Sequence, residues 1–163
     1  MSRELRAAVA AIVAQVGGQP VDVSSEHARW FLYQQAMLRP EAWSALEEAV
    51  RREEDDGVAS SVVVDMLERV PVDGRQRWVD ALSSPDVRRF AQGRADDLAV
   101  LEAAVVGENV DPAHRSRWLQ LRLAEQGIDH DLLARLADIG ETKRIRRIAA
   151  ERLRKLRATK SPG

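Results

Sequence analysis

Residues 142–153 read Thr142-Lys143-Arg144-Ile145-Arg146-Arg147-Ile148-Ala149-Ala150-Glu151-Arg152-Leu153, and the central part of this pattern also occurs earlier as Val87-Arg88-Arg89-Phe90-Ala91. Both stretches place two neighbouring arginines between apolar residues, followed by alanine. Apolar residues three and four positions apart lie on one face of an α-helix, so each stretch predicts an amphipathic helix. A pattern that recurs after some tens of residues is typical of stacked helical units.

Helix signals continue along the chain, whereas strand signals such as sustained two-residue alternation, or an Asp-Gly turn between two β-branched runs, do not occur. Capping side chains, and prolines that fit a first helical turn, predict where helices begin. The predicted starts are Ser24 or Ser25, Pro40, Gly57 after an acidic run, Asp73 with Gln76, Ser84-Pro85, Asp111-Pro112, Asp129 and Thr142. Gly127 and Gly140 are predicted to end helices. Connections of about two to six residues make consecutive helices antiparallel neighbours.

Two local predictions depend on individual residues. The second helix is predicted to carry its apolar stripe on Ala28, Phe31, Leu32, Gln35 and Leu38. The helix that starts at Pro85 contains Gly93, and an interior glycine costs about 1 kcal/mol relative to alanine. We therefore expect a bend or a break near this glycine.

Three tryptophans indicate a repeated unit. Trp30, Trp78 and Trp118 each follow an arginine and lie near a preceding Val-Asp pair. A helical pair cannot bury both of its apolar faces alone, which is the physical reason for stacking such units. The alternative is an irregular compact helical bundle in which the tryptophans are unrelated core anchors.

The Arg-Arg stretches also carry a family resemblance. Residues 84–91 and 142–153 resemble the second helix of HEAT-type repeats, which typically reads Asp-x-x-Val-Arg-x-x-Ala-x-x-Ala-Leu. The resemblance covers roughly residues 24–157, although Gly93 stands where alanine is usual. It implies an all-α fold of stacked antiparallel helical hairpins, a short HEAT-like (armadillo-type) α-solenoid.

Length and composition favour one domain. The 163 residues fit a single helical domain, predicted over residues 1–158, with a flexible C-terminal tail at residues 159–163. The chain lacks cysteine, which excludes disulfides, thiol catalysis and cysteine-bound metals. The Ala/Val run after Leu5 fits an amphipathic first helix better than a signal peptide. Because no apolar run approaches the roughly 18 residues of a membrane span, we expect no membrane association and a cytoplasmic location.

Charge is distributed unevenly. Of 25 basic and 26 acidic residues, nine basic residues and the single acid Glu151 lie in residues 142–163, which gives this segment a net charge of +8 and residues 1–141 a net charge of −9. Basic residues of this segment and of the earlier Arg-Arg pair are our candidates for binding a partner. They are Arg88, Arg89, Lys143, Arg144, Arg146, Arg147, Arg154 and Lys155. The competing interpretation is that they only solvate the fold and pair with neighbouring acids.

No pattern in the sequence indicates catalysis. His27, His114 and His130 lack the i, i+4 spacing of two metal ligands on one helix. The carboxylate clusters, which fit solvated faces better than a metal site, are Glu47-Glu48, residues 53–56 and Asp96-Asp97. Phosphate-binding glycine loops and serine nucleophile elbows do not occur in the sequence. We therefore expect a protein that is not an enzyme and that has no cofactor or metal.

Charge polarity and helical units together suggest a function. We expect a non-catalytic protein–protein interaction module, either an adaptor or an inhibitor of the immunity-protein type, that binds an acidic protein through a helical groove or its basic end. The alternative is a nucleic-acid-binding protein that contacts phosphates through residues 142–160. The negative charge of residues 1–141 opposes that alternative, because it would repel a duplex.

Overall fold

The computed structural model describes residues 2–17, 22 and 24–159, and all regular secondary structure within them is helical. The predicted all-α fold is confirmed. The helices are α1 (Arg3–Val16), α2 (Glu26–Met37), α3 (Trp43–Arg52), α4 (Asp56–Leu67), α5 (Arg75–Ala81), α6 (Pro85–Val105), α7 (Arg117–Gln126), α8 (His130–Ile139) and α9 (Lys143–Thr159). Single 3₁₀ turns at Pro40–Ala42 and Val72–Gly74 precede α3 and α5. A solenoid and an irregular bundle both fit these elements, so HEAT-like stacking stays a prediction.

The chain forms two compact units, an N-terminal unit of residues 1–95 and a C-terminal unit of residues 96–163. In the N-terminal unit α1 packs against α3 and α2 against α4, whereas in the C-terminal unit both α7 and α8 pack against α9. A packing division need not be a folding boundary, so the single domain over residues 1–158 stays a prediction. The tail expected at residues 159–163 lies outside the described residues, apart from the backbone of Thr159.

Most helix starts are capped by a side chain that accepts a backbone N–H. Ser25, Asp129 and Thr142 cap α2, α8 and α9 at donor–acceptor distances of 3.3, 2.7 and 3.2 Å. These three predicted starts are confirmed. The cap of α4 is Asp55, whose carboxylate accepts an N–H at 2.9 Å, so this helix begins before Gly57.

The predicted helix start at Asp111-Pro112 is wrong. The Asp111 carboxylate accepts the N–H of Ala113 at 2.9 Å, which forms a local turn instead of a helix. His114 then has a φ of 58°, a left-handed conformation that interrupts right-handed helix. The helix begins only after Ser116, which caps α7.

The predicted capping box of Asp73 and Gln76 is also wrong. The chain enters α5 directly from the 3₁₀ turn at Val72–Gly74, so Asp73 lies inside that turn, and neither the turn nor α5 has a side-chain cap. Gln76 instead donates its side-chain amide to Asp80 at 3.0 Å.

The apolar stripe predicted for α2 is wrong in part. Phe31 and Leu38 are exposed, although Leu32 is buried as expected. The buried face of α2 includes Arg29 and Tyr33, whose polar groups bind the buried carboxylate of Glu53. A polar partner in the core therefore turns the helix away from the face that apolar residues alone would select.

The helix break expected near Gly93 is wrong, because α6 runs without interruption from Pro85 to Val105. Gly93 is exposed, and a Cβ built on it would meet no other atom within 4 Å. Gly140, by contrast, ends α8 as predicted. A Cβ on Gly140 would lie 2.5 Å from the Leu136 carbonyl oxygen and 2.8 Å from Cγ2 of Ile145.

These surroundings predict opposite effects for two glycine-to-alanine substitutions. We expect Gly93→Ala to stabilise the protein by up to about 1 kcal/mol, since alanine has the higher helix propensity and meets no obstacle. We expect Gly140→Ala to destabilise it by about 1–3 kcal/mol, since the methyl group would force backbone apart. Urea unfolding followed by circular dichroism measures both. A change in the free energy of unfolding that has the same sign in both variants would contradict the described packing.

Glu47 joins α3 to α5 in the N-terminal unit. Its carboxylate accepts a hydrogen bond from Arg51 at 2.8 Å and one from Arg77 at 2.7 Å. Partial burial by itself raises the pKa of Glu47, but the two arginines outweigh this effect and hold the pKa below its ordinary value of 4.5.

The lowered pKa predicts how Glu47 contributes to acid stability. A carboxyl group with a lowered folded-state pKa stabilises the fold above its unfolded pKa, and this contribution is lost as the pH falls through the folded-state pKa. We therefore expect Glu47→Gln to cost about 1 kcal/mol near neutral pH and less in acid. Urea unfolding across a pH series tests this. A cost that stays constant with pH would contradict the prediction.

Candidate functional site

The last helix is anchored by one apolar stripe. Ile145, Ala149 and Leu153 are buried in the core of the C-terminal unit, and Ile148 and Leu156 pack against that core with part of their surface. Residues four apart lie on one side of a helix, so this stripe fixes which side of α9 faces inward.

The remaining surface of α9 is strongly basic. The helix contains eight lysines and arginines and one acid, Glu151. The exposed cations are Lys143, Arg144, Arg147, Arg154, Lys155 and Arg157. Glu151 pairs with Arg147 at 3.0 Å. One carboxylate cannot neutralise eight cations, so α9 has a positive excess that its own sequence does not cancel.

The first arginine of each Arg-Arg pair has a structural role. Arg88 donates from Nε to the carbonyl oxygen of Leu82 at 3.0 Å, and Arg146 donates from Nη1 to that of Gly140 at 2.5 Å. Leu82 and Gly140 are the residues at which α5 and α8 end. Each arginine therefore binds a terminal carbonyl that has no partner within its own helix. Both copies of the pattern therefore place an arginine where it binds the carbonyl at the end of the preceding helix.

The second arginine of each pair is more available to a partner. Arg89 pairs with Asp86 and Arg147 with Glu151, both at 3.0 Å and on exposed side chains. Exposed pairs of this kind contribute about 0–1 kcal/mol, so exchanging them for a partner's carboxylate costs little.

The candidate residues fall into two groups. Lys143, Arg144, Arg147, Arg154 and Lys155 lie together on α9, and the structure adds the exposed Arg157. Arg146 is on the same helix but is partly buried and donates to a carbonyl oxygen. Arg88 and Arg89 belong to the N-terminal unit, so their participation in the same surface stays a prediction.

The arginines of the three Arg-Trp pairs all bind glutamates outside their own helices. Their partners are Glu53 for Arg29, Glu47 for Arg77 and Glu141 for Arg117. The tryptophans differ, because Trp78 is fully buried whereas Trp30 and Trp118 are half-buried. The pairs share an ion pair but not their packing.

Glu53 lies at the centre of a buried polar network. Its carboxylate accepts hydrogen bonds from Arg29 at 2.8 and 3.0 Å and from the Tyr33 hydroxyl at 3.0 Å. The backbone N–H groups of Glu54 and Asp55 donate to it at 3.1 and 3.2 Å. The expectation of a solvated acidic segment is therefore wrong for Glu53. Burial, followed by the neighbouring charge of Glu53, raises the pKa of the Tyr33 hydroxyl far above its ordinary value.

This network is complete. Within the described part of the chain, every buried side-chain nitrogen and oxygen has a hydrogen-bond partner. Fully satisfied buried networks hold helices in one arrangement. The network therefore fixes α2 against the residues that follow α3, and none of its buried side-chain atoms is left for a ligand.

The histidines and carboxylates do not converge on one point. Across residues 2–17, 22 and 24–159, no group of three or more histidine, aspartate or glutamate side chains is placed to hold a metal ion. His114 lies beside a shallow cavity of about 560 Å³ that is also lined by Gln120, Ile139 and Glu141. Gln120 and Glu141 are already hydrogen-bonded to each other across it at 2.9 Å.

None of the described helices has the length and apolar character of a membrane span. The longest of them, α6, has 21 residues and includes seven charged ones.

No protein-family model matches the chain, and neither a curated protein nor a solved structure is significantly similar to it.

Proposed function

We propose that this protein is a non-catalytic interaction module that binds the acidic surface of a partner protein through α9, as an adaptor or as an inhibitor of the immunity-protein type. The observation that carries the proposal is the composition and placement of α9. Its apolar stripe is fixed in the core, and six of its eight cations are exposed on its other surface, against the single acid Glu151.

Because α9 is anchored in the core, its charges are held in place for binding a partner. A helix of 17 residues is about 25 Å long, so its exposed cations form an extended row in a fixed geometry. Fixed charges need less ordering when they bind than charges on a flexible tail. Such a row steers an acidic partner during encounter and selects against basic ones.

The rest of the C-terminal unit favours a protein partner over nucleic acid. Residues 96–141 contain ten acidic and four basic residues. A duplex is negative along its whole length and would meet this acidic surface as well as α9. A protein with a local acidic patch can bind α9 without bringing negative charge against the acidic surface of residues 96–141.

Capture from an extract of the source cells, with quantitative mass spectrometry, tests the proposal. Two variants lose three positive charges each: K143Q/R144Q/R154Q on α9, and R3Q/R6Q/R69Q at exposed positions of the N-terminal unit as the control. We expect an acidic protein that the wild type and the control retain and that the α9 variant binds about tenfold more weakly. Recovery of no protein reproducibly, or equal loss in both variants, would contradict the proposal.

The basic α9 also supports the alternative function, since clustered lysines and arginines are the electrostatic footprint of phosphate binding. Titration with labelled DNA and RNA at low salt separates the two functions. Binding that weakens steeply with salt and is lost in K143Q/R144Q/R154Q would favour nucleic acid. No binding at micromolar protein would remove that alternative.

A further inference from the structure

Three aliphatic side chains are exposed at one end of the C-terminal unit. Val105 and Val106 lie at the end of α6, with 41% and 76% of their surface exposed, and Ile128 lies between α7 and α8 with 47% exposed. A Cβ built on Gly107 would be 3.9 Å from Cδ1 of Ile128, so this isoleucine lies beside the end of α6. We call Val105, Val106 and Ile128 the apolar patch.

The apolar patch follows a helix end that lacks its usual apolar residue. The N–H of Gly107 binds the carbonyl of Ala104 at 3.2 Å and the N–H of Glu108 binds that of Ala103 at 3.0 Å. With a φ of 92° at Gly107, this is the Schellman end of a helix. Such an end usually carries an apolar residue at the position of Glu108, which packs back on the helix. Here that position is charged.

The apolar patch borders the basic helix. Arg152 of α9 donates to the carbonyl oxygen of Gly127 at 2.7 Å and to that of Gln126 at 3.3 Å. Gly127 is the residue directly before Ile128. One turn further along α9 from Arg152 lies the exposed Lys155. Cations and aliphatic side chains therefore meet on one surface of the C-terminal unit.

We propose that α9 and the apolar patch form a single docking surface for an acidic amphipathic segment of the partner protein. This inference rests on the function proposed above and names the kind of partner segment. The carboxylates of the segment pair with the cations of α9, and its aliphatic or aromatic side chains cover the apolar patch. Charge alone gives fast but weak association, and burial of apolar surface at the same place excludes water and slows dissociation.

Charge complementarity selects this occupant. Eight basic residues against one acid on α9 favour an anionic partner over a basic or neutral one. Phosphate groups would satisfy α9 but would leave the three aliphatic side chains in water. A second copy of this chain that docked through the same surface would bring its own basic α9 into repulsion with the first. An acidic segment that turns its carboxylates to α9 and its apolar side chains to the apolar patch, which Glu108 borders, satisfies both halves of the surface.

Fluorescence anisotropy with two labelled synthetic peptides tests the inference. Both peptides are glutamate-rich helices of equal length and charge; one carries leucines on one face and the other carries alanines there. The patch variant is V106S/I128S. The matched control is V72S/I139S, one valine and one isoleucine with 62% and 49% of their surface exposed. Ile128 lies two residues before α8 and Ile139 is the last residue of α8, which is about 15 Å long.

We expect the wild type to bind the leucine peptide about tenfold more tightly than the alanine peptide. V106S/I128S should remove this difference and leave binding of the alanine peptide unchanged, whereas V72S/I139S should behave as the wild type. Equal affinity of the wild type for both peptides, or the same loss in both variants, would overturn the docking surface but not the proposed function. If K143Q/R144Q/R154Q binds both peptides as tightly as the wild type does, the docking surface and the proposed function are both overturned. If the wild type binds a DNA duplex or phosphatidylglycerol vesicles more tightly than the leucine peptide, the occupant is nucleic acid or an anionic membrane and the acidic segment is ruled out.

Discussion

Replacing Glu53 by alanine is expected to destabilise the protein by about 3–5 kcal/mol. The substitution leaves the buried guanidinium of Arg29 without its carboxylate, to which it is bound at 2.8 and 3.0 Å. It also leaves the Tyr33 hydroxyl without its acceptor. A buried charge or polar group without a partner keeps its full desolvation cost, which is larger than the net gain from an average hydrogen bond.

Urea unfolding followed by circular dichroism measures the cost. The matched control is Glu48→Ala, because Glu48 pairs with Arg52 at 2.9 Å on the same stretch of chain but both side chains are about half exposed. We expect the control to cost less than about 1 kcal/mol. Arg29→Met should be nearly as costly as Glu53→Ala, and the double variant should cost clearly less than the sum of the two. A cost for Glu53→Ala no larger than that of the control would show that Glu53 is solvated.

Helix content could be predicted from the sequence because its signals are local. Thr142 and Asp129 precede apolar residues at helical spacing, and a cap needs only the three residues that follow it. The anchoring of α9 was predictable for the same reason, since Ile145 and Ala149 lie four positions apart. The basic surface then follows from composition alone.

Local signals failed where a distant residue decides the outcome. Residues 53–56 are all acidic and therefore indicate a solvated segment, yet Glu53 is buried because Arg29 lies against it from 24 positions earlier in the chain. The one cue was the i, i+4 spacing of Arg29 and Tyr33, which places two polar groups on one face of α2.

The candidate site was predictable as a helix but not residue by residue. Arg146 and Arg147 are adjacent and equally basic, and only the position of the Gly140 carbonyl assigns a structural role to Arg146. A cue was present, because Arg88 and Arg146 both lie six residues after the end of the preceding helix. The sequence did not indicate that Val106 is exposed, since an apolar residue at a helix end usually packs inward.

The second large effect is expected at Trp78, whose replacement by alanine should lower the free energy of unfolding by about 3–5 kcal/mol. Trp78 retains only 1% of its accessible surface and is among the largest fully buried side chains described. Its removal leaves a cavity that the surrounding helices fill only in part. Circular dichroism is the suitable readout, because the substitution removes a fluorophore.

Trp30 is the control within the same unit. It also follows an arginine but is half-buried, so Trp30→Ala should cost about 1–2 kcal/mol. Regular repeats would place equivalent tryptophans in equivalent packing and would give them similar costs. A cost at Trp30 as large as that at Trp78 would therefore support stacked HEAT-like units over an irregular bundle. If the two costs differ by about 2 kcal/mol or more, the tryptophans do not occupy equivalent positions. The Arg-Trp pairs then share only the ion pair that each arginine forms.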